Sequence, residues 1–400
     1  MRCRQGHRYQ NSHCIVQPLI PADNFKYTWL DMRSHYAFTC SLTFINLILP
    51  VMIHTKNSTT CETTSRQTIS LLESSLGLDP SNLYKNGIAF GALPAFKEPL
   101  KPNTPDLINA KLPRPMSIMG DYVHLGEDEE GFETIDWHVK AIQRLQGNPV
   151  YQIALMPTKG LEHISQRVAE RIAQKMYEVN QLNITVWLRW GHEMNGNWYK
   201  WGNNPKLFKE KWRLVSQAVK NRAPNTYMMW APNVRYGDSI DSRRGGYSPY
   251  WPGGEYVDIA ALSFYHFGGS RRKNTLPEPN EAIERLQEFS QLYGMQGEQK
   301  PIVIAETAAP YTKSFMSGWT SLEDEASESE EKIKLAWLNQ IFSPEMKAAV
   351  PELKAISWFE IFKHETAPGG WFPKSEDFRL LLGNPSLSEK AVRFLTDESA

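Results

Sequence analysis

Eight short apolar runs recur between residues 87 and 359, and most are followed by a loop and then an amphipathic stretch. The runs are Gly87–Leu93, Pro115–Val123, Val150–Met156, Thr185–Trp190, Thr226–Pro232, Val257–Tyr265, Pro301–Ala305 and Ala355–Phe359. Near-continuous apolar runs of this length are what parallel strands buried on both faces require. Several intervening segments repeat apolar residues at helical spacing: Ile135, Val139, Ile142 and Leu145; Ile164, Val168, Ile172, Met176 and Val179; Phe208, Trp212, Val215 and Val219; Ile283, Leu286 and Phe289. Alternating strands and helices imply parallel pairing through right-handed crossovers, and eight such units close into a (β/α)8 TIM barrel. Residues 96–114 carry Pro99, Pro102, Pro105 and Pro113, so any helix there must be short or broken. An open doubly wound sheet is the alternative, but it needs a glycine-rich phosphate loop after an early strand, and GALPAF is not one. The expected α/β fold therefore has two parts: a poorly structured N-terminal extension over residues 1–80 and a barrel domain over residues 81–390.

Charge narrows the partners. Forty-four Lys and Arg balance forty-four Asp and Glu, so the chain lacks the basic footprint of a nucleic-acid protein. Aromatic residues are abundant, with 13 Trp, 16 Tyr and 17 Phe. Flat apolar rings in such number suit a ligand with flat apolar faces, and sugars are the obvious class; barrel cores also absorb many of them. All four cysteines (Cys3, Cys14, Cys40, Cys61) lie in the extension, so the barrel must fold without disulfides or thiolate metal ligands. Residues 36–53 run uncharged for 18 positions, with Arg33 before and Lys56 after. Leu42–Ile53 has the length of a signal-peptide core, and residues 54–68 read as a polar linker. The expectation is a secreted protein, or one tethered to a membrane through residues 36–53; a buried strand or helix is the other reading of that run. Sequons occur at Asn57 and Asn183. The acidic run Glu323–Glu331 suits a solvated loop leading into a helix near Lys332.

Reactive side chains of such barrels sit at the carboxyl ends of strands. The fourth run leads into RWGHEMNGNWYKWG (189–202) and the seventh into IAETAAP (304–310), which brings Glu193 and Glu306 to the mouth from facing sides. Two carboxyl groups across an aromatic cleft are what glycosidic cleavage needs: one protonated to give the leaving oxygen its proton, one ionised to attack or stabilise the cationic centre. One isolated glutamate could simply pair with Arg189 or His192. Two, each within a dense motif, favour chemistry. Gly196 stands where a zincin motif needs its second histidine, so zinc binding there is discarded. There is no GxSxG nucleophile motif, and the strand runs contain no lysine for a Schiff base.

RWGHEMNGNWYKWG resembles the strand-four signature of glycoside hydrolase family 26. WAPN (230–233), YWPGGEYVDIAALSFY (250–265) and KPIVIAET (300–307) follow in the same order, so the resemblance covers roughly residues 85–375. It implies a retaining endo-β-glycanase on a (β/α)8 barrel that hydrolyses a cell-wall polysaccharide. β-1,4-Mannan is the leading substrate, with mixed-linkage β-glucan and β-1,3-xylan open. It further implies Glu193 as acid/base, Glu306 as nucleophile, Tyr265 as hydrogen-bond donor to the nucleophile, Trp358 as aromatic floor under the sugar at the cut, and His192 as the histidine before the acid/base. Arg189 is a candidate to keep Glu306 ionised. Trp198, Trp201 and His124 are candidates for substrate contact, each with a packing role as the competing account, and Asn195 is a candidate either to touch a sugar hydroxyl or to orient Glu193. A catalytically silent carbohydrate-binding barrel is the rival from another class. The chemistry calls for no metal or organic cofactor, and the expected state is a monomer.

Overall fold

The computed structural model describes residues 71–96, 103–126, 130–268, 273–315, 321–322, 328–366 and 373–397. The four cysteines, the apolar run 36–53, the Asn57 sequon and most of the acidic run lie outside the described residues, as do Trp371 and Phe372. Eight strands close into a barrel: β1 (Ile88–Pro94), β2 (Ile118–His124), β3 (Val150–Met156), β4 (Val186–Leu188), β5 (Thr226–Trp230), β6 (Ile259–Ser263), β7 (Ile302–Thr307) and β8 (Leu353–Glu360). Each strand pairs in parallel with its sequence neighbours, and β8 returns to pair with β1. All eight apolar runs thus become barrel strands.

The helices follow the apolar spacing. They are α1 (Pro105–Asn109), α2 (Glu130–Ile142), α3 (Gln166–Asn180), α4 (Pro205–Arg222), α5 (Glu281–Tyr293), α6 (Glu330–Ile341), α7 (Pro344–Ala349) and α8 (Pro385–Thr396). α1 is a short helix, as its prolines require. α4 starts with the Asn204 side chain accepting from Leu207 N–H and Pro205 in its first turn, and buries Phe208, Trp212, Val215 and Val219 against the barrel. Ser329 caps α6 in the same way, and Glu330 and Glu331 sit in its positive first turn.

Inside the barrel, alternate residues form a core of Ala89, Ile118, Val150, Trp187, Met229, Ile259, Val303 and Ala355. Leu76 and Leu78 join this core from below, and the Trp187 indole donates to the Leu76 carbonyl at 2.9 Å. Residues 71–80, which the sequence reading assigns to the extension, therefore close the amino-terminal end of the barrel. At the carboxyl end a second, antiparallel sheet grows from the loops after β7 and β8. Its four strands run in the order 321–322, 311–315, 373–377, 362–366. The sequence reading did not anticipate this sheet, which forms one wall of the mouth.

Candidate active site

β4 ends at Leu188, and the chain then turns over the mouth. Gly191 and Glu193 both adopt left-handed backbone, with φ near 54° and 55°. For glutamate this conformation is uncommon and costs on the order of 1–3 kcal/mol. The Glu193 N–H donates to the Ala231 carbonyl at 2.8 Å, which holds the strained residue against the end of β5. The Asn195 side chain completes the splice. Its amide donates to the Asn233 carbonyl and its oxygen accepts from Asn233 N–H, both at 2.9 Å. Gly196 is needed for the next turn, because a Cβ there would fall inside the Trp198 indole. That indole folds back and donates to a Glu193 carboxyl oxygen at 2.7 Å.

Glu306 rises from β7 on the facing side. Arg189, fully buried, donates through one guanidinium nitrogen to Glu306 and through another to Ser263 at the end of β6. Tyr265 donates its hydroxyl to the other Glu306 oxygen. Glu193 and Glu306 are both buried, at 7% and 6% exposure, yet their proton affinities part. Burial and the neighbouring Glu306 charge push the Glu193 carboxyl above the ordinary range, against the opposing pull of Arg189, Ser263 and Trp198. Burial would also raise Glu306, but the Arg189 charge, aided by the Tyr122 and Tyr265 hydroxyls, holds it down at about 2. Burial and Arg189 keep the His192 imidazole neutral. That ring packs edge-on to Tyr122, Tyr199 and Trp201.

The other sequence candidates fall into place around this pair. Trp198 is half-buried beside Glu193 and leans on Tyr236 at 5.8 Å. Trp201 is buried; it stacks on Tyr199 at 4.3 Å and donates to the His192 carbonyl, so it packs the loop and offers no face to a sugar. Asn195 commits its amide to Asn233. His124 is exposed at the end of β2. Trp358 departs from its expectation. It has no exposed surface, clusters with the helix-facing core and donates to the Phe378 carbonyl at 2.8 Å. Strand parity separates it from Phe359, which is itself buried in the same cluster at 3% exposure: Ser357 reaches Gln152 inside the barrel, so Phe359 rather than Trp358 lies on the mouth side of the wall. Phe359 meets Tyr122, Tyr265 and Phe378 edge-on.

Sequence reasoning missed Phe359, Ser263, Tyr236 and Phe267. Counting alternate residues back from Tyr265 would have found Ser263, and counting forward from the small inward Ala355 would have found Phe359. Tyr236 and Phe267 lie on loops and are 44% and 43% exposed; no periodic signal marks them. Among the described residues no group of three or more His, Cys, Asp or Glu side chains could hold a metal ion, and no helix is long and apolar enough to cross a membrane.

The model for glycosyl hydrolase family 26 matches residues 131–343, a stretch that begins in α2 and ends after α6. A mannan endo-1,4-β-mannosidase A and B from Caldalkalibacillus mannanilyticus is 27% identical over 152 residues, 35% of this chain and 25% of that protein. A Bacillus subtilis mannan endo-1,4-β-mannosidase is 26% identical over 134 residues, 31% of this chain and 34% of that one. A β-1,3-xylanase from an Alcaligenes species is 28% identical over 107 residues, 24% of this chain and 22% of that protein. The chain thus spans between 22% and 34% of the length of these curated relatives. Among solved structures, the catalytic domain of a Bacillus family 26 endo-β-1,4-mannanase superposes with a TM-score of 0.49 at 17% identity, covering 72% of this chain and 80% of that one. With its family model spanning more than half of the sequence and both facing glutamates within the matched stretch, the chain belongs to glycosyl hydrolase family 26.

Proposed function

We propose that this protein is a retaining endo-β-glycanase acting on β-1,4-mannan, with Glu193 as acid/base and Glu306 as nucleophile. One observation carries the reading. Two buried carboxyl groups face one mouth, and their proton affinities are pushed in opposite directions, Glu193 up by burial and Glu306 down by Arg189. In the first step the Glu306 carboxylate attacks the anomeric carbon while Glu193 gives its proton to the departing glycosidic oxygen. The carbon–oxygen bond to the leaving sugar breaks as the glycosyl–Glu306 bond forms. Glu193, now ionised, takes a proton from water, whose oxygen displaces Glu306 at the same carbon and restores the starting anomer.

Arg189 keeps the nucleophile ionised in a buried site. Tyr265 aims it by holding one oxygen. Trp198 fixes the Glu193 carboxyl and borders the leaving-group side, where the exposed Tyr236 ring extends the surface. Phe359 supplies the apolar floor that the resemblance had assigned to Trp358. The names of the two mannosidase relatives support mannan. The β-1,3-xylanase relative keeps that substrate as a second reading. We further propose that the enzyme works outside the cell, secreted or tethered through residues 36–53, since its substrate is a polymer.

The test is reducing-end release from mannan, glucomannan, lichenan and β-1,3-xylan, with product sizing and proton NMR of the first-formed anomer. Mannan should yield short oligosaccharides with retained configuration. Glu306→Ala should lose several decades of turnover while still binding oligosaccharide. An inverted product, or a wild-type protein that binds glycans but cleaves none, would overturn the proposal in favour of another mechanism or a silent binding barrel.

A further inference from the structure

Past Tyr265, on the side of the mouth away from Glu193, the wall is cationic. Lys363 lies on the strand 362–366, half-buried, with its ammonium 4.6 Å from the centre of the Phe359 ring and 5.1 Å from that of Phe378. Phe359 is itself one ring away from Tyr265, at 5.9 Å. No carboxylate among the described residues stands within ion-pairing distance of Lys363. The cross-strand register sets Lys363 opposite Glu376, but Glu376 turns to Lys374 at 2.9 Å. Lys374 in turn faces Ser314, and the Lys273 ammonium reaches the Ser314 hydroxyl at 3.3 Å. The register also sets Glu365 opposite Lys374, so this face carries Lys363, Lys374 and Lys273 against Glu376 and Glu365, an excess of one positive charge. An ammonium on aromatic faces is held in place and partly stripped of water, while its charge stays open on the cleft side.

From this wall we infer that the glycone side of the cleft accepts a sugar carrying a carboxylate, a uronosyl unit within or upon the β-linked chain, with Lys363 as the group that reads it. The inference rests on the proposed glycanase function and adds a substrate class to it. A neutral hexose offers only hydroxyl groups, which do not need a positive charge, whereas a carboxylate at C6 gains a charge-assisted hydrogen bond from Lys363 in a partly shielded site. The competing account is that Lys363 merely closes the aromatic cluster by its apolar stem.

Oligosaccharides of β-1,4-mannan and their C6-oxidised counterparts separate these accounts, because the two differ only in that carboxylate. In the wild type, kcat/KM for the oxidised chain relative to its neutral parent should fall roughly tenfold on Lys363→Met, which keeps the stem and removes the charge; Lys363→Arg should restore most of it. The ratio should also fall with added salt in the wild type and not in Lys363→Met. A ratio indifferent to both substitution and salt would overturn the inference. Calorimetric titration of Glu306→Ala with the oxidised oligosaccharide keeps the two claims distinct. Binding that depends on Lys363 without any turnover in the wild type would defeat the proposed catalysis and leave the recognition standing; turnover of neutral mannan together with oxidised-chain binding that does not depend on Lys363 would do the reverse.

Discussion

Replacing Arg189 with methionine tests the electrostatic core of the site. In the native protein the guanidinium sits fully buried between Glu306 and Ser263. Moving the Glu306 carboxyl from its ordinary 4.5 to about 2 corresponds to roughly 3 kcal/mol in favour of the ionised form. That agrees with the loss of about 3–5 kcal/mol expected when one partner of a buried pair is removed. The sign with pH follows from the direction of the shift. A depressed carboxyl contributes stability that is fully present above pH 4.5 and is lost as pH falls through about 2. Without Arg189 the carboxyl keeps its burial and its repulsion from Glu193, so it should rise above 4.5 and the sign should reverse. Stability of the variant should then decline as pH climbs past the unfolded value. Urea denaturation from about pH 3 to about pH 7 measures both slopes. The double variant Arg189→Met with Glu306→Gln removes the stranded charge and should recover most of the loss, giving a coupling of roughly 3 kcal/mol in the cycle. If Arg189→Met alone retained the wild-type pH profile, or the double variant were no more stable than the single, Arg189 would not be what holds Glu306 ionised.

Two smaller changes test the supporting shell. Gly196→Ala should displace the Trp198 indole from Glu193, costing about 1–3 kcal/mol of stability and lowering kcat more than it raises KM, as thermal melts and steady-state kinetics would show. Phe359→Ala should cut kcat/KM on a soluble mannan-oligosaccharide at least tenfold, whereas Trp358→Phe, which loses a buried hydrogen bond behind the barrel wall, should act mainly on the melting temperature; the opposite pattern would return the floor to Trp358.

The barrel was legible because its strands are buried on both faces, and burial writes continuous apolar runs that no loop imitates. The helices α3 and α4 were legible for a related reason: their apolar stripes recur every third or fourth residue. Glu193 and Glu306 stood out through position, at the ends of the fourth and seventh runs. What could not be read was the direction of each ring at the rim. Trp358 and Phe359 are adjacent aromatic residues on one strand, and a single step of register decides which faces the mouth. The register of β8 against β7 is irregular there, with breaks between Leu353 and Ala355 and between Ile356 and Trp358, so a count along the sequence has no fixed origin. Trp201 misled in another way. An indole directly after the exposed Lys200 looks surface-bound, yet its N–H is spent on the His192 carbonyl behind the loop after β4. The mouth sheet escaped notice because its strands are short, polar and joined by long loops, so they carry neither period.

The strain at Glu193 gives these observations a common cause. A β4 that simply continued would send residue 193 straight out of the barrel. Two left-handed residues within three positions bend the chain across the mouth instead, and the splice of Asn195 to Asn233, the Ala231 contact and the buried Trp201 ring hold that bend shut. The residues that sequence reasoning could assign either to sugar or to packing thus divide by a physical rule. Those on the inner side of the bend (Asn195, Trp201) have their polar atoms satisfied by backbone and serve to keep Glu193 in a conformation it would not adopt alone. Those on the outer side (Trp198, Tyr236) keep ring surface open to the cleft. Because the inner group fixes Glu193 and the outer group keeps ring surface on the cleft, the two halves of the fourth loop are separable, and under the proposed function loss of the inner contacts should act through the backbone of Glu193 before it acts on substrate affinity.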